Sequence, residues 1–551
     1  MATPARLGLA LVVAGGLALR LYGGRHGLPF VYHSDEVFHF TSRAVAMFTD
    51  GLNPNYFQNP SAFTYLVHIA LRLQYGGGWP FGDFGHLVRQ FGDDPSEVYA
   101  TARQLTAVLA MLGVVAIYAV GRRLWGEMEG LAAAAVLAFA FLPVAYSRFA
   151  VTDVGVLLPV AVAVFAAVRA HEDGRLRHFL LGGAAAGLAI GFKYTAGLVL
   201  APLLLAALMR ARRDLRGAIV AGAVTLAAST AVFLVTTPYF LPDLDEALAQ
   251  LRSQSYAADE RKLGQEEASG HLFYLRSLTW GLGWGAALAA AAGAVLVLRR
   301  DRRRLALLAL FPLLLFLYLG TAERYFGRWL MPIYPVLALL AGVALARAAR
   351  ALSSRPAWRA AALVALLAAV LAQPVAAGIR TGRLLGREDT RMEARKYLLR
   401  TLPEGTRIVV EPAVPRRWYR GLAPGYGPPP PAKKKMPPPP AAPTRFIDEL
   451  EPARLERYRR DGFCYVVTMS MVRGRAEIAG RTDALAYYRE LARQSTVVFR
   501  ADPYRRGATP VPFDFDFSTH LYYPSAYDRP GPDVTIYRLD RCRPARAPVR
   551  R

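Results

Sequence analysis

Apolar stretches of spanning or near-spanning length recur through the first 380 residues when the chain is read in windows of about 19 positions. There are eleven, at 6–22, 100–120, 130–148, 153–169, 179–192, 195–209, 217–236, 279–298, 304–320, 329–346 and 360–378. The pattern predicts a polytopic α-helical membrane protein. The runs at 179–192 and 195–209 are short, and read either as tilted spans or as a helical hairpin turning at Gly191-Phe192-Lys193-Tyr194. Every second connection is rich in arginine: Arg122-Arg123; Arg169, Arg175 and Arg177; Arg210, Arg212, Arg213 and Arg216; Arg299, Arg300 and Arg302 to Arg304; Arg347, Arg350, Arg355 and Arg359. An N-terminus on the inside places all five clusters in the cytoplasm. The first run is expected to be a retained helix rather than a cleaved signal, because Arg20 closes it and no small-x-small cleavage site is evident.

The same parity puts everything after residue 380 outside the cell membrane, where the pattern changes. Thr390 to Leu402 reads as an amphipathic helix stopped by Pro403-Glu404-Gly405. Strand-like runs follow at Arg407–Glu411, Phe463–Val467, Thr496–Phe499 and Val534–Tyr537, with a helical stretch at Asp483–Gln494. The expected organisation is a transmembrane domain over 1–380, with outer loops at 23–99 and 237–278, and a small extracytoplasmic α/β domain over 381–551. Within that domain 427–443 is a proline-rich insert carrying Lys433 to Lys435, read as extended. Its lysines read as a solvated loop, or as a patch attracted to anionic surfaces.

Composition agrees with the membrane reading and removes another. Of 551 residues, 54% are hydrophobic and only 20% charged, with a mean hydropathy of +0.23. The formal net charge of +26 would suit a nucleic-acid binder. Its distribution does not: the basic residues of the first 379 positions sit in short clusters between apolar runs, as in membrane proteins. The two cysteines, Cys464 and Cys542, exclude a disulfide scaffold or a zinc-ribbon array. Both lie in the outer domain, where a disulfide between them could persist.

Candidate chemistry follows the first span, in Tyr32-His33-Ser34-Asp35-Glu36-Val37-Phe38-His39-Phe40. On a helix adjacent residues point about 100° apart, so one acid can face a cleft while its neighbour holds a partner. Alternatively, Ser34 caps a helix whose first turn welcomes Asp35 and Glu36. His33, Asp35 and His39 are also the ligand types a divalent cation would need. A third acid, Asp153, stands after Ser147-Arg148 with apolar sequence resuming at once, and a carboxylate there needs a partner. Lys193 and Arg324 are outer-face cations. Each either snorkels to the interface or, with Arg148, serves a lipid-linked phosphate. Asp243 to Glu267 reads as an acid-rich helix in the second outer loop, either a mobile acceptor-binding segment or a plain solvated one.

Taken in order, these residues resemble a known family. A first span followed by Asp35-Glu36-Val37 with His39-Phe40, then Asp153 after Ser147-Arg148, then Gly191-x-Lys193-Tyr-Thr195, then Arg324-Tyr325 before Pro332-x-Tyr334-Pro335, is similar to the protein O-mannosyltransferases and their bacterial relatives. These are the family 39-like glycosyltransferases of the C-type fold, which include the aminoarabinose and other lipopolysaccharide-modifying transferases. The resemblance covers roughly 5–412, including Asp389-Thr-Arg391 and Leu402-Pro-Glu-Gly-Thr406. It implies an inner-membrane enzyme of the cell envelope that moves a sugar from a polyprenyl-phosphate donor to a lipid, glycan or protein hydroxyl outside. It further implies that Asp35 is the general base or its positioning partner, that Glu36 and Asp153 complete the acidic cluster, and that Lys193, Arg148 and Arg324 bind the donor phosphate. Relatives often carry His-Pro-Pro or Lys-Pro-Pro in the first loop; here the stretch reads Gln58-Asn59-Pro60-Ser61. Two other classes fit a polytopic basic-inside chain: a transporter or flippase of lipid-linked sugars, which would carry midplane charges on repeated halves, and a non-catalytic scaffold presenting the outer domain.

Overall fold

The computed structural model describes residues 4–76, 84–212, 214–265, 269–425, 443–515 and 521–545. The insert expected at 427–443, with Lys433 to Lys435, lies almost wholly outside them. The chain forms two compact units. One holds Met1–Gly24, Asp35–Glu260 and Ala268–Gly382; the other holds Arg25–Ser34, Arg261–Glu267 and Arg383–Arg551.

All eleven apolar runs of the first unit are helical. Among the described residues, eight helices, taken through their short 3₁₀ and π turns, are long and apolar enough to span a membrane. These are Pro4–Leu21, Ser96–Leu124, Tyr194–Ala211, Leu215–Thr236, Gly270–Arg300, Arg302–Gly320, Gly327–Leu352 and Pro356–Thr401. The other three runs give shorter helices: Glu127–Phe139 with Phe141–Tyr146, Leu157–Asp173, and Leu176–Phe192. Outward faces carry exposed Leu11, Leu112, Leu208, Ile219, Leu288 and Val364, which suits a hydrocarbon surround rather than water. The chain is a multi-pass membrane protein.

The five arginine clusters fall at the short connections between paired helices, where local chemistry sets each break. Gly174 takes a left-handed φ of 64° and ends Leu157–Asp173. The Asp214 and Asp301 carboxylates accept the backbone N–H groups of Gly217 and Arg304, capping the helices that follow. Between Leu176–Phe192 and Leu215–Thr236 the approach is closer than side chains allow. A Cβ at Gly183 would stand 2.3 Å from the Thr225 carbonyl oxygen, and one at Gly187 would stand 2.2 Å from that of Ser229. This small-residue stripe lets two backbones touch, and it ends at Gly191, two residues before Lys193.

The second unit is a mixed α/β fold. Its strands are β1 Arg407–Val410, β2 Ala423–Gly425, β3 Tyr465–Met469, β4 Ser495–Ala501 and β5 Val534–Leu539. They form one sheet in the order β2-β1-β3-β5-β4. β1 runs parallel to β2 and β3, whereas β5 runs antiparallel to β3 and β4. The helix Thr482–Arg493 buries Ala484, Tyr487, Tyr488 and Leu491, a spacing that makes one apolar face. Ile408, Val409, Val466, Val467 and Ile536 supply the core from the sheet. A disulfide joins Cys464, before β3, to Cys542, after β5.

Candidate active site

Asp35 and Glu36 open a π-helical turn, Glu36–Phe40, which runs into the helix Thr41–Ala46. The two acids point to different partners. Glu36 has no exposed surface and accepts both arms of Arg103, at 2.7 and 2.9 Å. It also accepts the Ala150 N–H at 2.8 Å, three residues before Asp153. These three hydrogen bonds hold Glu36 in a fixed place. Asp35 keeps about a quarter of its side chain open and meets Arg328 at 2.9 Å.

Arg328 draws the site together. Its Nη2 pairs with Asp35, its Nε lies 4.0 Å from Asp153, and its Nη1 donates to the Tyr146 hydroxyl at 3.2 Å. Phe326 presents its ring face 4.6 Å from the guanidinium carbon. Asp153 is nearly buried and accepts from Lys193 Nζ at 2.7 Å; Lys193 also donates to the Arg328 carbonyl at 3.1 Å. Lys193 sits in extended backbone between the helix Leu176–Phe192 and the 3₁₀ turn Tyr194–Val199, a break that aims its side chain inward. Two carboxylates and two cations thus share one polar cluster, near neutral overall, at the ends of four helical segments.

A second chain of bonds leads away from Asp35. His39 Nε2 stands 3.6 Å from it, one π turn on, and His39 Nδ1 contacts the Tyr56 hydroxyl. Asn59 donates to that hydroxyl at 2.7 Å. Burial pushes the Tyr56 phenol well above its ordinary range, so Tyr56 accepts from Asn59 and donates to His39 Nδ1. The other ring nitrogen, Nε2, faces Asp35. Gln250 Oε1 accepts the Phe57 N–H at 2.7 Å, which fastens the first loop to the helix Leu244–Asp259. That helix occupies most of the acid-rich stretch read in the second outer loop.

The other expected phosphate ligands stand elsewhere. Arg148 has no exposed surface, and its Nη2 donates to the carbonyls of Leu19 and Gly378, each at 2.8 Å. The residue before it, Ser147, accepts from Arg20 Nε at 3.1 Å. Arg324 donates through Nε to the Glu260 carbonyl at 3.2 Å and ties down the end of the loop helix. Among the described residues no group of three or more His, Cys, Asp or Glu is arranged to hold a metal ion. Arg328 was not singled out by sequence. Its only signal was an arginine four positions beyond Arg324, at the onset of an apolar run.

Residues 96–239 match the family model for dolichyl-phosphate-mannose-protein mannosyltransferase. No curated protein matches the sequence. Among solved structures, the oligosaccharyltransferase of Archaeoglobus fulgidus in the apo form is 13% identical, with a TM-score of 0.57 over 93% of this chain and 75% of that one. ArnT from Cupriavidus metallidurans in the apo state is 18% identical, with a TM-score of 0.48 over 73% of this chain and 82% of that one. The Pmt1-Pmt2 protein O-mannosyltransferase complex of S. cerevisiae is 19% identical, with a TM-score of 0.34 over 45% of this chain and 34% of that one. The matched segment begins with the helix that carries Arg103 and includes Asp153 and Lys193. The chain is therefore built on the C-type fold of the membrane glycosyltransferases, and its residues 96–239 match the model of the dolichyl-phosphate-mannose-protein mannosyltransferase family.

Proposed function

We propose that this protein transfers a sugar from a polyprenyl-phosphate carrier to a hydroxyl group on the outer side of the cell's inner membrane. The observation that carries the reading is the Arg328 guanidinium set between Asp35 and Asp153, with Lys193 on the latter. A hydroxyl is a weak nucleophile until a carboxylate takes its proton, and a departing lipid phosphate needs cations. This cluster supplies both within one cluster of side chains. The Pmt1-Pmt2 structure is described as bound to the sugar donor, and a second ArnT structure as bound to undecaprenyl phosphate.

In the proposed step the acceptor oxygen attacks the anomeric carbon as its proton passes to Asp35. The bond from that carbon to the phosphate oxygen breaks on the opposite face, so configuration inverts and polyprenyl phosphate leaves. Arg328 and Lys193 are the phosphate ligands. A donor phosphate that engages Arg328 draws it away from Asp35, which raises the basicity of Asp35 when the sugar is in place. His39, oriented by Tyr56, is a positioning residue for the Asp35 carboxylate. The acceptor is a lipid, glycan or protein hydroxyl. The Cys464–Cys542 disulfide supports an oxidising, extracytoplasmic location for the C-terminal unit. The alternating arginine clusters support a cytoplasmic N-terminus.

The test is sugar transfer from a synthetic polyprenyl-phosphate sugar in proteoliposomes. Asp35→Asn should lower kcat by about 10²- to 10⁴-fold with little change in melting temperature. Arg328→Ala should raise KM for the donor as well. Unchanged turnover of well-folded Asp35→Asn protein would remove Asp35 from the chemistry.

A further inference from the structure

The C-terminal unit contains a cavity of about 280 Å³ that the transfer reading does not use. One wall is aromatic. The Tyr504 and Tyr527 rings meet edge to face at 5.3 Å, Tyr523 lies 5.8 Å from Tyr527, and Phe513 lines the same space. Tyr504, Tyr523 and Tyr527 are only partly buried, so each keeps surface for a ligand, whereas the Arg475 guanidinium lies over the Phe513 ring at 5.6 Å.

The rest of the wall is charged but already compensated. Arg391 spends Nε and Nη2 on Asp389, at 2.8 and 2.7 Å, and Nη1 on the Ala413 carbonyl. Arg473 donates to Glu477 at 2.8 Å, and Asp533 accepts from Arg500 Nε at 3.1 Å. Counting Asp514, the lining holds two arginines against three acids. Such a wall repels a phosphate, and five charged side chains disfavour a purely apolar guest. It offers oxygen acceptors and guanidinium edges beside open ring faces. An uncharged sugar matches that chemistry, with C–H faces for the rings and hydroxyls for the carboxylates. The volume sits at the lower end for small-molecule pockets, enough for one ring.

We propose that this cavity binds one pyranose ring of a neutral saccharide, stacked on Tyr523 and Tyr527. The site belongs to the C-terminal unit alone and does not rest on the transferase reading. One ring gives an affinity of about millimolar, so the assay is saturation-transfer NMR on the full chain in nanodiscs. The probes are methyl α-D-mannopyranoside and methyl β-D-glucopyranoside. Saturation should reach the ring C–H protons of at least one probe, persist in Asp35→Asn, and fall at least fivefold in Tyr523→Ala. Asp514→Asn should weaken binding too, and serves if Tyr523→Ala does not fold. Inorganic phosphate at equal concentration should not displace the sugar. Any of these results overturns the proposal: no transfer to either probe, transfer unaffected in both folded variants, or displacement by phosphate or by a proline-rich peptide. A signal lost in Asp35→Asn but kept in Tyr523→Ala would locate the sugar in the catalytic cluster and likewise overturn it.

Discussion

Glu36 and Arg103 form a buried ion pair with bidentate geometry, and removing one partner strands the other charge. Glu36→Ala should therefore cost about 3–5 kcal/mol of stability, read as a lower melting temperature and reduced folded yield. Asp35→Asn, one residue earlier, changes a side chain about a quarter open whose amide oxygen can still accept from Arg328, and should melt near the parent. That contrast separates the two acids better than activity alone, since both variants are expected to be inactive. The sequence signalled two adjacent carboxylates near a span. It could not say which faced inward, because the choice depends on Arg103, 67 positions away. Another buried carboxyl makes a pH prediction. Glu411 accepts the Tyr488 hydroxyl at 2.6 Å, and burial pushes its carboxyl up to about 8. Below its unfolded value, about 4.5, both states hold the proton and the stabilisation is complete. Between there and 8 only the folded chain keeps it, so stability falls as pH rises. Melting temperatures measured from pH 5 to 9 should decline more steeply in the parent than in Glu411→Gln.

At the scale of elements, the glycine stripe on Leu176–Phe192 decides how Lys193 is presented. A side chain at Gly187 meets the Ser229 carbonyl oxygen, which is backbone and cannot swing aside. Gly187→Leu should push the two helices apart, lower folded yield, and raise the donor KM by moving Lys193. A Gly222→Leu control on the partner helix, where a Cβ meets nothing within 4 Å, should do neither. The four-residue glycine spacing was present in the sequence, but its meaning required a partner helix. The eleven helical runs and their arginine-rich turns were legible because hydrophobic length and charge act locally. Three of the runs fall short of spanning length, since Ala140 breaks one and tight turns trim the other two. The strands of the C-terminal unit were also legible from their apolar runs, except β2, whose Ala423-Pro-Gly425 has no strand signal.

For the whole molecule, the C-terminal unit is held by a disulfide spanning 78 residues. In the chain-entropy account a loop of that length contributes about 4.5 kcal/mol. Cys464→Ser with Cys542→Ser should lower the melting transition of this unit, followed by circular dichroism, while the helical signal of the membrane unit persists. An intact transition at the parental temperature would show that the bridge is dispensable. Hydrophobic run length and the alternation of basic turns determined, from sequence alone, that the chain is a many-helix membrane protein with an α/β tail, since both are properties of short segments meeting lipid or water. Order along the chain also pointed to Asp35, Asp153 and Lys193. Only the tertiary structure decided that Arg328 joins them, that Arg148 and Arg324 serve backbone carbonyls, and that Glu36 is an internal strut. Those outcomes depend on which distant side chain arrives at each charge, and in a low-dielectric interior the nearest partner, not the local sequence, sets what a charged group does.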